Sequence, residues 1–136
     1  MSALGRLALV LDGRRPPGLY RVDVAALPGT LAAALRGHGV PSRVLDTSDA
    51  RDKADFLARC GTDLALPPWF GRNWDALADV LRDYPAGTIV LWHGADALDD
   101  DVRSTALEIF AERAAQPPAL TVELLGAAEW SHVAPL

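Results

Sequence analysis

Disulfide chemistry is excluded at the outset, because the 136 residues hold a single cysteine, Cys60. It falls in Phe56–Leu57–Ala58–Arg59–Cys60, on the apolar side of an expected helix. There a thiol serves as a small buried hydrophobe rather than a nucleophile. Long apolar runs are also missing. Leu7–Leu11 and Ile89–Trp92 are among the longest, far too short to span a bilayer, so no membrane association is expected. The opening Met1–Arg6 has no basic segment followed by an uninterrupted apolar one, and Asp12 arrives early. No export signal is therefore expected. Without disulfide or signal, the chain is expected in the cytoplasm.

The signatures of catalysis are equally sparse. His38, His93 and His132 are scattered and show no metal-ligand spacing. No glycine-rich loop is built to cradle phosphate, since Gly13–Gly18 carries two prolines. Asp96 and Asp99–Asp101 lack the spacing of a calcium loop. They suit the start of a helix, where the dipole favours carboxylates. There is no repeat and no low-complexity tract. Catalytic residues, metal and cofactor are thus not expected, and the chain reads as a non-enzyme. A carboxylate pair can serve glycosidic chemistry, but nothing else in the sequence supports it.

What is present is an uneven charge. The net charge is −5, yet residues 1–45 carry +4 and residues 46–101 carry −7, the latter holding twelve aspartates against five bases. An acidic middle argues against nucleic acid as a direct ligand. It suits either a basic protein partner or an ordinary solvated surface.

At this length one domain with one real core is expected. Strand-like runs at Leu19–Asp23, Arg43–Asp46, Thr88–Trp92 and Leu120–Leu125 alternate with helical segments at Leu31–Arg36, Asp52–Cys60 and about Val102–Ala115. Gly61 is the expected stop of the second helix, and Pro117–Pro118 breaks the last. Such alternation implies an α/β layer with a mostly parallel sheet. The tail after Gly126 shows no clear period and is expected to be loosely ordered.

The most informative stretch is Leu66–Pro67–Pro68–Trp69–Phe70–Gly71–Arg72–Asn73–Trp74–Asp75–Ala76–Leu77–Ala78–Asp79–Val80–Leu81. Asn73 is a good N-cap, so a helix is expected from Trp74. At about 100° per residue, Trp74, Leu77, Ala78 and Leu81 share one side. Asp75, Asp79, Asp83 and Arg72 share the other. Two carboxylates one turn apart repel by a few tenths of a kcal/mol. In isolation such a pair is an ordinary solvated face. Trp69 and Phe70, on a proline-stiffened loop beside it, give the pair the character of a grip for a cationic partner, although core packing is the simpler role for one of the two. Gly71 allows a sharp entry into the helix or a close approach by a partner's backbone.

These residues resemble the barstar family of intracellular ribonuclease inhibitors. The family pattern is two aromatics, then Gly-x-Asn-hydrophobic-Asp-Ala-Leu, then a second Asp four residues past the first. It matches here without a gap from Trp69 to Leu81, and Leu64–Pro67 also fits. The likeness covers roughly residues 42–125 and implies a barstar-like α/β fold, with several helices on a small sheet. Residues 1–41 then form an N-terminal extension, expected to pack on the core of a single domain. The resemblance further implies that Asp79 is the dominant anion, placed in the partner's phosphate site, with Asp75 beside it. Trp69 matches the interface aromatic, and Phe70 is the second aromatic of that loop, also expected at the partner surface. Gly71, Asn73 and Trp74 match contact positions around it. Tyr84 matches an aromatic past the helix, and Glu112 an outlying acid whose alternative is simple exposure. The implied partner is a secreted guanyl-specific or barnase-like ribonuclease. The alternative is an immunity or interaction module on the same scaffold for a non-ribonuclease basic partner. The chain departs from the pattern at Arg72, Trp74 and Ala78, where an acid, a smaller aliphatic and a tryptophan often stand.

Overall fold

The computed structural model describes residues 5, 7, 9–10, 12–22, 27–126 and 133–135. Its elements run in the order β1 (Leu19–Val22), α1 (Pro28–Gly37), β2 (Ser42–Asp46), α2 (Lys53–Asp63), α3 (Trp74–Arg82), β3 (Thr88–His93), a short 3-10 turn (Ala95–Ala97), α4 (Asp100–Ala114) and β4 (Leu120–Leu125). The four strands form one sheet in the order β1-β4-β3-β2, and every neighbouring pair is parallel. The expected mostly parallel sheet is thus wholly parallel among the described residues.

Local chemistry accounts for the helix ends. Pro28 opens α1 at a position that needs no amide donor. Asp52 caps α2 by accepting from the Asp55 amide at 2.8 Å. The α2 helix does not stop at Gly61 as expected but runs on to Asp63. Three contacts hold the extra turn. Thr62 donates to the Ala58 carbonyl, Arg59 pairs with Asp63 at 2.9 Å, and Leu64 is buried just beyond.

β3 and β4 are buried almost throughout, as strands covered on both faces must be. Their alternate residues divide between two clusters. Val90, Trp92, Val122 and Leu124 join Phe56, Leu77, Leu81 and Phe110 on the side of α2, α3 and α4. Ile89, Leu91 and Leu125 join Leu31 and Leu35 of α1, with Leu7, on the other side. Chain direction explains the split. From β2 to β3 to β4 the chain steps one way along the sheet, whereas from β1 to β2 it steps the other way. Right-handed crossovers in opposite directions place their helices on opposite faces.

Trp92 centres the first cluster. Its ring lies 5.8 Å from Phe56 and 5.3 Å from Phe110, and its indole N–H donates to Thr47 Oγ1 at 2.9 Å. Cys60 is buried in the same cluster, where desolvation pushes its thiol well above the ordinary range. Gly94 is required after β3, because its φ is 81° and a Cβ there would sit 2.5 Å from the Ser48 amide nitrogen. The expectation for the tail falls mostly outside the described residues. Val133–Pro135 runs along the outer edge of β1, with the Arg21 amide donating to the Ala134 carbonyl at 2.9 Å.

Glu123 breaks the apolar pattern. It lies in β4 between Tyr20 of β1 and Leu91 of β3, has no exposed surface, and neither carboxyl oxygen has a hydrogen-bond partner among the described residues. Desolvation pushes its pKa from 4.5 up to about 9, against a weak opposing pull from Arg15. The acid is therefore neutral at pH 7, and its raised pKa makes stability greatest below pH 4.5 and progressively lower up to about 9. Within that window the loss is about 1.4 kcal/mol per pH unit. Replacing Glu123 by Leu should stabilise the fold at pH 7 by on the order of 2 kcal/mol and flatten this slope. Urea melts at pH 5, 7 and 9 measure both, and an unchanged slope would show that Glu123 ionises freely in the folded state.

Candidate partner-binding site

The site is built where the loop after α2 turns into α3. Ala65, with φ 52°, takes the chain out of α2, and Pro67 and Pro68 stiffen the loop beyond it. The Phe70 amide closes a turn on the Pro67 carbonyl at 2.9 Å. That turn points the two aromatics in opposite directions. Trp69 is 76 % exposed and Phe70 only 9 %.

Asn73 begins the helix as expected. Its backbone is extended, and its Oδ1 accepts from the Ala76 amide at 2.8 Å. Arg72 just before it sits at φ 51°, an uncommon conformation for a residue with a side chain. Leu77 and Leu81 are fully buried, which leaves Asp75 and Asp79 on the exposed side of α3. Asp75 lies in the first turn, where the dipole favours it. The Asp79 carboxylate is 64 % exposed and is met by the Arg82 guanidinium, 69 % exposed, in an i,i+3 ion pair.

Two hollows flank this ion pair, and Arg82 lines both. One is a groove of about 460 Å³ between the loop and α3, bounded by Pro67, Trp69, Asp79, Asp83, Tyr84 and Pro85. The other is a notch of about 190 Å³ between α3 and α4, formed by Ala78, Arg82, Ile109, Glu112, Arg113 and Gln116. Trp69 and Asp79 therefore share one groove, and Glu112 stands on the notch beside them. Gly71, Asn73 and Asp75 are exposed at the N-terminal end of the same helix. Among the described residues no group of three or more histidine, cysteine or acidic side chains is arranged to hold a metal.

Three of the expected contact residues are less open than Trp69. Phe70 packs into the core, so its ring supports the loop from beneath instead of offering surface. Tyr84 is 8 % exposed, and its hydroxyl donates to the Leu64 carbonyl at 2.6 Å, tying the end of α3 to the loop. Trp74 is half-buried, 5.7 Å from Phe56, and Lys53 Nζ covers it at 5.8 Å. The cause is shared: each ring fills space under the loop or beside α2 that polar side chains would leave open.

Arg82, Asp83 and Arg113 line the two hollows, although the sequence pattern singled out neither arginine. Arg82 had a signal in its spacing of three from Asp79. Arg113 had one too, since it follows Ala106 and Phe110 on the buried stripe of α4. Its guanidinium joins the two helices, donating from Nε to the Leu81 carbonyl and from Nη1 to the Gln116 carbonyl at 3.0 Å.

Fold and site together define a parallel α/β domain that holds an acid-bearing helix face and the bare Trp69 out to solvent. Residues 40–124, well over half of the chain, match the family model described as Barstar (barnase inhibitor), and the chain belongs to the barstar family. Among curated proteins none matches the chain.

The opposite burial of the adjacent aromatics gives a direct expectation. Phe70→Ala should cost about 3 kcal/mol of stability, whereas Trp69→Ala should change it by less than about 0.5 kcal/mol. Denaturant melts of the two variants decide this, and equal losses would mean that Trp69 also packs into the fold.

Proposed function

We propose that the protein is a cytoplasmic inhibitor of a secreted microbial ribonuclease of the guanyl-specific or barnase-like kind, acting by occlusion and not by catalysis. The observation that carries this reading is the sharing of one groove by the exposed Trp69 and Asp79. The family's description as a barnase inhibitor supports it.

A cleft that binds RNA phosphates is cationic. Asp79, with Asp75 one turn away, offers carboxylates where phosphates would sit, and Trp69 covers the docked edge against water. Gly71, Asn73 and Trp74 border the approach, and Glu112 adds an outlying acid. Docking must first release Asp79 from Arg82. An exposed ion pair contributes only about 0–1 kcal/mol. A charge-assisted hydrogen bond in a dry interface contributes roughly 1.5–3 kcal/mol. The partner's cation therefore displaces Arg82. With a net charge of −5, the protein itself does not recruit RNA.

Arg72 and Arg82 favour one second reading. Both place positive charge on the acidic face, which counts against the strongly cationic cleft of a ribonuclease and leaves as the alternative a barstar-fold immunity or interaction module for a less uniformly charged, non-ribonuclease basic partner.

Against the inhibited ribonuclease, Asp79→Ala should weaken binding by about 3 kcal/mol, roughly a hundredfold, with melting almost unchanged. Stopped-flow association should slow steeply with added salt. No inhibition of such a nuclease at low salt would end the ribonuclease reading. An Asp79→Ala protein that unfolds yet still binds would end the site assignment.

A further inference from the structure

The notch between α3 and α4 has a polarity opposite to that of the groove on the other side of Asp79. Ala78 lies on its wall, where a small side chain occupies little of the space. Arg113 lines it and is 6 % exposed, with its Nη2 buried and without an acceptor among the described residues. A buried charged donor left empty is costly, and such an atom calls for an explanation. Burial also lowers the guanidinium pKa below that of an ordinary arginine, as expected where no anion compensates it. Arg82 lines the same notch. Glu112 is the one acid on its wall and is exposed, so water and salt screen it. The buried guanidinium is screened far less, and the balance favours an anion.

We propose that the Ala78 notch receives a carboxylate side chain, an aspartate or glutamate, of the partner protein. Arg113 holds it from the floor, and Arg82 joins once a partner cation has taken Asp79. This rests on the reading of the protein as one that docks on a partner through α3. The face then selects a mixed pattern, with a cation against Asp79 and an acid beside it. A uniformly basic surface would leave Arg113 unpaired and would set its own cations against Arg82.

Arg113 links two helices, so its substitution threatens the fold, and Ala78→Trp is the better variant. It fills the notch and leaves Asp79 in place. Against the inhibited ribonuclease, Ala78→Trp should weaken binding at least tenfold with an unchanged Tm. Neutralising the partner's surface acids one at a time should find one whose loss costs about tenfold with the natural protein and nothing with Ala78→Trp. Unchanged or tighter binding by Ala78→Trp, or the absence of any such coupled acid, would overturn the proposal.

A second measurement needs no nuclease. Sodium acetate, titrated against chloride at equal ionic strength, should shift the Ala78 and Gln116 amide resonances and the Arg113 Nε–H saturably, and Ala78→Trp should abolish the shifts. Absent or unsaturable shifts would sink the subsite while leaving the ribonuclease reading standing. Localised shifts in a protein that inhibits no ribonuclease would sink that reading and keep the subsite.

Discussion

Leu77 and Leu81 have no exposed surface, and their burial sets the rotation of α3 about its axis. They lie four residues apart and so form a single stripe. Once that stripe is seated in the cluster containing Phe56, Trp92 and Phe110, residues 75 and 79 have only the outward side left. Burying each leucine contributes about 1.5–3 kcal/mol. Two like charges at i,i+4 cost a few tenths of a kcal/mol. Packing wins by roughly an order of magnitude, so the acids are held at the surface in the free protein.

The aromatic loop depends on the same seat. Tyr84 lies two residues past α3, and its hydroxyl grips the Leu64 carbonyl where the loop begins. Phe70 fills the space under the loop and lies against Gly61, where a Cβ would meet its ring at 3.6 Å. The loop is therefore fastened at the Tyr84 bond and at the buried ring, with the two prolines between them. Trp69 is left exposed on a segment with little freedom to lose. Ordering a side chain or a loop at an interface costs about 0.5–1.5 kcal/mol per rotamer-rich residue, and here most of that cost falls on folding. Binding energy can then go to contacts instead of to ordering.

The helix and its acids were legible in the sequence because they obey a local rule. Asn73 satisfies the amide of Ala76, and a period of 3.6 sorts aspartates from leucines. The strands were legible for a similar reason, since short apolar runs between glycines and prolines leave few alternatives. What local rules cannot decide is which of two adjacent aromatics turns inward. The Trp69–Phe70 choice depends on a turn closed by the Pro67 carbonyl and on room beside Gly61, both of which exist only after α2 and α3 have packed. The overrun of α2 past Gly61 has the same origin, because Leu64 is held by the tertiary core. Arg82 and Arg113 were hidden behind their charge. A pattern reading assigns arginine to water, yet Arg113 sits among buried neighbours and ties together the ends of two helices.

The segment ahead of the family match is part of the fold and lies away from the exposed side of α3. β1 and α1 come from residues before 40, and α1 packs on the sheet face opposite α2, α3 and α4. The reversal of chain direction at β1 leaves it no other face under the right-handed rule. β1 also gives β4 a second neighbour, which removes the open edge that β4 would otherwise present. That cover has a consequence. Glu123 is fully buried in β4 between Tyr20 of β1 and Leu91 of β3, so its carboxyl has no water to hydrate it. The protein thereby carries a buried acid, its pKa raised by desolvation, on the side of the sheet away from α3. Its protonation bears on the stability of the whole domain, while the Asp75 and Asp79 carboxylates stay exposed on the other side of the sheet.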